Sequence, residues 1–237
     1  MKILSVECSA TPASVAIIDD QKVLYSSFTN IKMTHSETLI PMISDALKVS
    51  KLSVDDIDYY AVSAGPGSFT GVRIGISAIK GLAAKNDTPC VPVSTLFAMA
   101  MPFKNFDCTV CAVMDARCNQ VYNALFKIEN NTITRLTEDR ALLCDELKSE
   151  IEKISSSEKI IIVGDGADIF YPFVKERINV TKADEAVKFQ NAVGVGFASI
   201  TDIEKKNTVS PASLLPVYLR LPQAERELKK KPNSQES

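Results

Sequence analysis

The chain has 237 residues, 46% of them hydrophobic and 24% charged, with a formal net charge of −2. That is the composition of a soluble globular protein long enough for one large core or two small ones. It excludes a surface that grips nucleic acid by basic charge alone, and no apolar run is long enough to cross a bilayer.

Residues 3–7 and 13–18 read as strands, with Cys8-Ser9-Ala10-Thr11-Pro12 as the turn between them. A second turn at Asp19-Asp20-Gln21 leads to a third strand over 22–28, so the chain opens as an antiparallel meander. The start runs straight into strand pattern, too short for a secretory core. Six cysteines are therefore expected as reduced, buried thiols in a cytoplasmic protein. Thr34-His35-Ser36-Glu37 matches a capping box, and a helix is expected from there to about Val49, with Pro41 either kinking it or setting off its first turn. Its apolar face holds Leu39, Ile40, Ile43 and Leu47, widened by Met42 and Ala46.

A strand over 59–64 feeds Gly65-Pro66-Gly67-Ser68, whose glycines and proline turn the chain and whose serine caps a helix over 69–85. Gly71, Gly75 and Gly81 each cost that helix about 1 kcal/mol against alanine. Gly71, Gly75, Ala78 and Leu82 share one smooth face, and Val72, Ile76, Ile79 and Ala83 form a second, apolar one. A helix apolar around most of its circumference is covered on two sides. One cover is its own sheet; the other is expected to be a second protein chain, with burial inside a single domain as the alternative. On that expectation, arginine at Gly75 abolishes docking and leaves the monomer folded.

A strand over 89–93 and a helix capped by Ser94 complete a β-β-β-α-β-α-β-α half, with a boundary at 104–107. Strands over 109–114, 121–127 and 132–136 repeat the meander, with Asn130-Asn131 as a hairpin turn. A helix over 145–154, a strand over 159–163, the turn Gly164-Asp165-Gly166 and helices over 167–177 and 191–205 follow. Residues 214–219 read as extended, 225–231 as a short solvated helix, and 232–237 as disordered. Cys108 and Cys111 have CxxC spacing, but residues three apart on a strand point to opposite faces, and His35 is the sole histidine. Core packing is the stronger reading there, and no metal site is expected.

Two β-β-β-α-β-α halves resemble the actin-like ATPase (ASKHA, ribonuclease H-like) fold: α/β, two related lobes with mixed sheets. The lobes are expected over 1–103 and 104–222, with a charged tail over 223–237. Five stretches narrow the likeness: residues 34–43, 65–83, Asp115-Ala116-Arg117 with Val121-Tyr122, 164–167, and Pro216-Val217-Tyr218-Leu219-Arg220. Together they resemble the TsaB (YeaZ) family over nearly the whole chain.

The resemblance implies a non-catalytic scaffold subunit in the bacterial assembly that places threonylcarbamoyl on adenosine 37 of tRNAs reading ANN codons. The partners it implies are TsaD and TsaE, with TsaC supplying the donor. It implies docking on TsaD, or self-association as a homodimer, through the helices over 36–49 and 69–85. The interface set is then Leu39, Met42, Ile43, Ala46, Gly71, Val72, Ile74, Gly75, Ala78, Ile79 and Leu82. No cofactor of its own is implied; ATP would sit at the junction with TsaD, and tRNA contact would be indirect.

Active members of the superfamily hold phosphate at the first hairpin turn, which makes Glu7, Ser9 and Thr11 nucleotide candidates, with Gly164 and Gly166 at the later turn. The plain-turn reading is stronger at both. The first turn lacks glycine and contains Pro12, and Asp165 would repel an anion. Ser68 and Ser94 show no spacing to His35 and an acid that would make a nucleophile. An independent ATPase or small-molecule kinase of the same superfamily is the alternative function.

Overall fold

Short apolar strands joined by tight turns build the first sheet, as the computed structural model of the chain shows for the described residues, 1–31, 33–177 and 179–220. The expected tail helix, Lys229 to Lys231 and the final residues lie outside them. Strands β1 (Lys2–Glu7), β2 (Ala13–Asp19) and β3 (Lys22–Thr29) form two antiparallel hairpins. Helix α1 (His35–Ser50) leads to β4 (Tyr59–Gly65), and helix α2 (Phe69–Ala83) leads to β5 (Cys90–Ser94); both strands run parallel to β1, in the order β3-β2-β1-β4-β5.

The cap of α1 is the expected one: the Glu37 carboxylate accepts from the Thr34 hydroxyl at 2.6 Å and from the Thr34 amide at 3.3 Å. The helix runs on through Pro41, because Leu39, Ile43 and Ala46 are buried on one stripe and hold it to the sheet. The Ser68 hydroxyl accepts from the Gly71 amide at 3.3 Å and the Ser94 hydroxyl from the Phe97 amide at 3.2 Å, so both serines cap as read.

Helix α3 (Thr95–Ala100) leaves the first sheet for the second, which contains β6 (Cys108–Asp115), β7 (Gln120–Glu129), β8 (Thr132–Arg135) and β9 (Arg140–Leu143). Helix α4 (Cys144–Ile154), β10 (Ile160–Val163), α5 (Ala167–Phe170), β11 (Val180–Lys182), α6 (Glu185–Lys188) and α7 (Ala192–Glu204) complete the order. The second sheet reads β11-β10-β6-β7-β8, with β9 also on β7, which repeats the first sheet's arrangement. Strands β9 and β11 and helix α6 are absent from the sequence reading. The helix expected over 167–177 ends at Phe170 and tightens into a 3-10 turn at Tyr171–Phe173, where Pro172 has no amide to continue it.

The last helix of each half crosses to the other. Leu96 and Met99 of α3 pack with Val110 and Phe126 of the second sheet, and Val195 and Ala198 of α7 pack with Ile3, Ala61 and Val91 of the first. The Ser5 hydroxyl donates to the Ala192 carbonyl at 2.7 Å. Beyond α7 the chain stays on the first lobe as far as Val217, where Cys90 and Val209 exchange two backbone bonds of 2.8 Å and the Val217 amide donates to Ala64 at 2.7 Å; Leu219 and Arg220 then reach back to the second. The first lobe is therefore completed by residues 192–217, well past the boundary at 104. Cys108 and Cys111 lie in different core clusters on opposite faces of the second sheet. Among the described residues no helix is long and apolar enough to cross a membrane.

Candidate functional site

The duplication brings two hairpin turns face to face. The β1–β2 turn and the β6–β7 turn border a cleft of about 490 Å³, with Ser9, Thr11, Ser68, Asp115, Arg117 and Asp165 among its lining. This is where the fold class would hold nucleotide phosphates, and the residues present fit a triphosphate poorly. Glu7 is fully buried, and its carboxylate accepts from the Ser9 amide at 2.6 Å and from the Ser63 hydroxyl. Burial pushes its carboxyl up, against the hydrogen bonds from Ser63 and Ser9.

The glycines near the cleft answer to backbone, not to a ligand. A Cβ on Gly67 would lie 2.5 Å from the Ser9 carbonyl oxygen, which already accepts from the Ser68 amide at 2.6 Å. Gly164 has φ +110°, and its Cβ would lie 2.0 Å from the Val113 carbonyl oxygen. The Gly164 amide donates to Lys188 at 2.7 Å and the Gly166 amide to Val113 at 3.2 Å. The amides of Ser9, Ser68, Gly164 and Gly166 are thus bonded within the chain and are not offered to phosphate. Of the five nucleotide candidates, Ser9 and Thr11 line the cleft, Glu7 lies beneath it, and Gly164 and Gly166 pack on β6.

Asp165, between those glycines, does line the cleft. Burial pushes its carboxyl up to about 6, Asp115 and Glu7 add to the rise, and the Gln190 amide opposes it. A carboxyl raised on folding is penalised when it ionises. The penalty is absent below the unfolded value near pH 4, grows between pH 4 and 6, and is complete above pH 6. Asp165→Asn should therefore gain ~1–2 kcal/mol over the wild type at pH 8, after allowance for screening through the open cleft. Urea titrations should show that gain vanishing at pH 4; an equal gain at both pH values would contradict this account.

His35 is a strut. Its Nε2 meets the Ala10 carbonyl oxygen at 2.7 Å and ties the start of α1 to the first hairpin turn. Among the described residues no group of three or more His, Cys, Asp or Glu could hold a metal ion.

The expected docking helices stand side by side, and their glycine face turns inward. A Cβ on Gly71 would lie 2.1 Å from the Cys8 carbonyl oxygen, and one on Gly75 would lie 2.7 Å from Cys8 Sγ. Leu39, Ile43, Ala46, Val72 and Ile79 are likewise buried in the first lobe's own core. These seven side-chain positions contact no partner without rearrangement, which corrects the expectation of a smooth face left open. The close neighbour that the glycines admit is the end of β1. Met42 is half-buried toward β3. Ile74, Ala78 and Leu82, four residues apart, remain half-buried on the outer face, and beside them a Cβ on Gly81 would meet nothing within 4 Å.

A strap that the sequence reading left unplaced lies along the polar flank of α2. The Lys80 ammonium donates to the Ala212 carbonyl at 3.0 Å, and Arg73 Nε donates to the Tyr218 hydroxyl at 2.6 Å. Tyr218 stacks on Phe69 with centroids 4.5 Å apart. The extended, apolar reading of 214–219 contained the signal, since an apolar extended segment needs a surface to lie on.

The family model described as "TsaD: tRNA N6-adenosine threonylcarbamoyltransferase" matches residues 24–231. The chain is 33% identical to the tRNA threonylcarbamoyladenosine biosynthesis protein TsaB of Escherichia coli (strain K12), covering 93% of this chain and 95% of that protein. It is 28% identical to the protein of the same name from Bacillus subtilis (strain 168), covering 95% and 96%. Among solved structures, YeaZ from Pseudomonas aeruginosa superposes with a TM-score of 0.77 at 22% identity, covering 92% of this chain and 99% of that one. The (R)-2-hydroxyglutaryl-CoA dehydratase component A of Acidaminococcus fermentans shares the fold alone, with a TM-score of 0.50 at 13% identity and coverage of 86% and 99%.

Proposed function

We infer the role of this chain from its kinship: it belongs to the TsaD family and, within it, to the TsaB proteins, and it has the actin-like ATPase fold. It acts in the biosynthesis of threonylcarbamoyladenosine in tRNA. Within that pathway we assign it a scaffold role, docking on a TsaD protein that carries out the transfer, with TsaE joining the assembly and TsaC supplying the donor. The observation that supports this reading is the outer face of α2, where Ile74, Ala78 and Leu82 stay only half-buried on a rigid helix, while the amides of Ser9, Ser68, Gly164 and Gly166 beside the cleft are bonded internally. An apolar stripe on a rigid helix suits helix-on-helix packing. The same face serves a homodimer when the partner is absent. Contact with tRNA is indirect, through basic surface on the partners, and ATP, where it binds, sits at the junction with TsaD. The setting is the cytoplasm.

Gel filtration of the purified chain mixed with TsaD tests the role. Comigration supports it; separate elution counts against it. Calorimetry of the isolated chain with ATP and Mg²⁺ separates the alternative, an independent ATPase or kinase. No saturable heat is expected up to 1 mM nucleotide, roughly the upper end of ordinary substrate affinities. A micromolar isotherm would favour the alternative.

A further inference from the structure

Among the described residues, nothing pairs with one long edge of the first sheet. On the other side β5 has only five residues and bridges to Val209 at its first, Cys90, and the second sheet's outer strands β8 and β11 have four and three residues. Strand β3 has eight residues and, among the described residues, pairs with β2 alone. Bare edges template further pairing, and proteins blunt them with short strands, lysine, proline or bulges. The blunting of β3 is confined to its first half, at Lys22 and at a register shift opposite Ile17 and Ile18. Over residues 25–29 the ladder is regular and uncharged.

A hollow flanks each side of that regular stretch. One of about 490 Å³ lies toward α1, with Tyr25, Ser27, Thr29 and Met42 in its wall. Another of about 540 Å³ lies toward α7, walled by Ser26, Phe189, Phe197 and Met101. Phe28, 47% exposed, stands in the wall of both. Side chains on a strand alternate between faces, so a strand laid along β3 would send every second side chain into one hollow and the rest into the other. Glu37 and Asp45 stand at the first hollow, while Glu185 at the second is ion-paired with the buried Lys188; among the described residues no lysine or arginine stands in the wall of the first.

We propose that the β3 edge receives an extended segment of a partner protein, apolar at alternate positions and carrying lysine or arginine where it meets the acidic rim of the first hollow. Main-chain bonds along residues 25–29 give the affinity, and the two hollows select the side chains. Glu37 and Asp45 at the first hollow favour such a segment over a second copy of this chain, which would bring the same acidic rim. The site stands on the sheet edge and goes beyond the helix docking argued above.

The test uses the full chain and a fluorescein-labelled peptide, Arg-Val-Phe-Val-Leu-Val-Lys. Anisotropy should show saturable binding at about 10–100 µM, in the range of modest peptide recognition. Methylating alternate peptide nitrogens removes edge donors and should weaken binding about tenfold or more. This arm leaves the protein unmodified, so it decides the matter even where a variant misfolds. Phe28→Glu should weaken binding similarly at an unchanged melting temperature, and amide exchange over 25–29 should slow in the complex. Equal binding by the methylated peptide overturns the proposal, as does no binding at about 1 mM. So does a dimer of the free chain that Phe28→Glu splits, which would make a second copy the occupant.

Discussion

Gly71→Ala is expected to destabilise the protein by about 3 kcal/mol, while Gly81→Ala, ten residues along the same helix, stabilises it by up to about 1 kcal/mol. The intrinsic preference for alanine is the same at both positions, so the opposite signs come from the surroundings. At Gly71 the new methyl would lie 2.1 Å from the Cys8 carbonyl oxygen, a backbone atom at the end of β1 that no rotamer change can move. At Gly81 it would meet nothing within 4 Å. For a chain of this size the melting temperature should fall roughly 6–12 °C in the first variant and rise by roughly 2–4 °C in the second. The same geometry reverses the expectation for Gly75→Arg. Cys8 Sγ at 2.7 Å and Val62 Cγ2 at 3.3 Å from its Cβ leave no exit for a guanidinium, so loss of docking in that variant would report unfolding. Equal melting shifts for Gly71→Ala and Gly81→Ala would mean that the helix does not press on β1.

Those glycines show what sequence can and cannot carry. Their spacing recorded that something approaches α2 closely, and something does; a strand end of the same chain and a helix of another chain leave the same mark. Capping residues spoke for themselves, because Thr34, Ser68 and Ser94 act within three residues of their own position. The meanders and the repeated order of elements were legible for the same local reason. The exchange of α3 and α7 between lobes was not: an apolar helix must be covered, but its periodicity does not say by which sheet. Strands β9 and β11, four and three residues long, escaped because neither a turn signal nor an unbroken apolar run marks them; β8 and β10 are as short, but Asn130-Asn131 announces the one and Ile160 to Val163 is apolar throughout. At the cleft, the positions of Ser9 and Thr11 followed from the turn they belong to. The commitment of Glu7 to Ser9 and Ser63 did not, since Ser63 is fifty-six residues away on a neighbouring strand.

Ala78→Arg should abolish docking on TsaD and leave the fold intact. Ala78 lies midway along the half-buried stripe of Ile74, Ala78 and Leu82, with the open surface of Gly81 beside it. A guanidinium there can turn into solvent, so the melting temperature should stay within roughly 2–4 °C of the wild type, the equivalent of about 1 kcal/mol. In a complex, the same group would be buried without a partner at the centre of a helix–helix contact. Losses of 2–4 kcal/mol are usual for disrupted interface centres, so the affinity should fall about 30- to 1,000-fold. Ser149→Arg adds the same charge to an exposed position on α4 of the second lobe, and should bind within about threefold of the wild type. The pair therefore separates the position of the charge from its mere presence. Comigration of a folded Ala78→Arg variant with TsaD would remove the outer face of α2 from the interface, because its neighbours on the inner face, Gly71, Gly75 and Ile79, are already enclosed by their own chain.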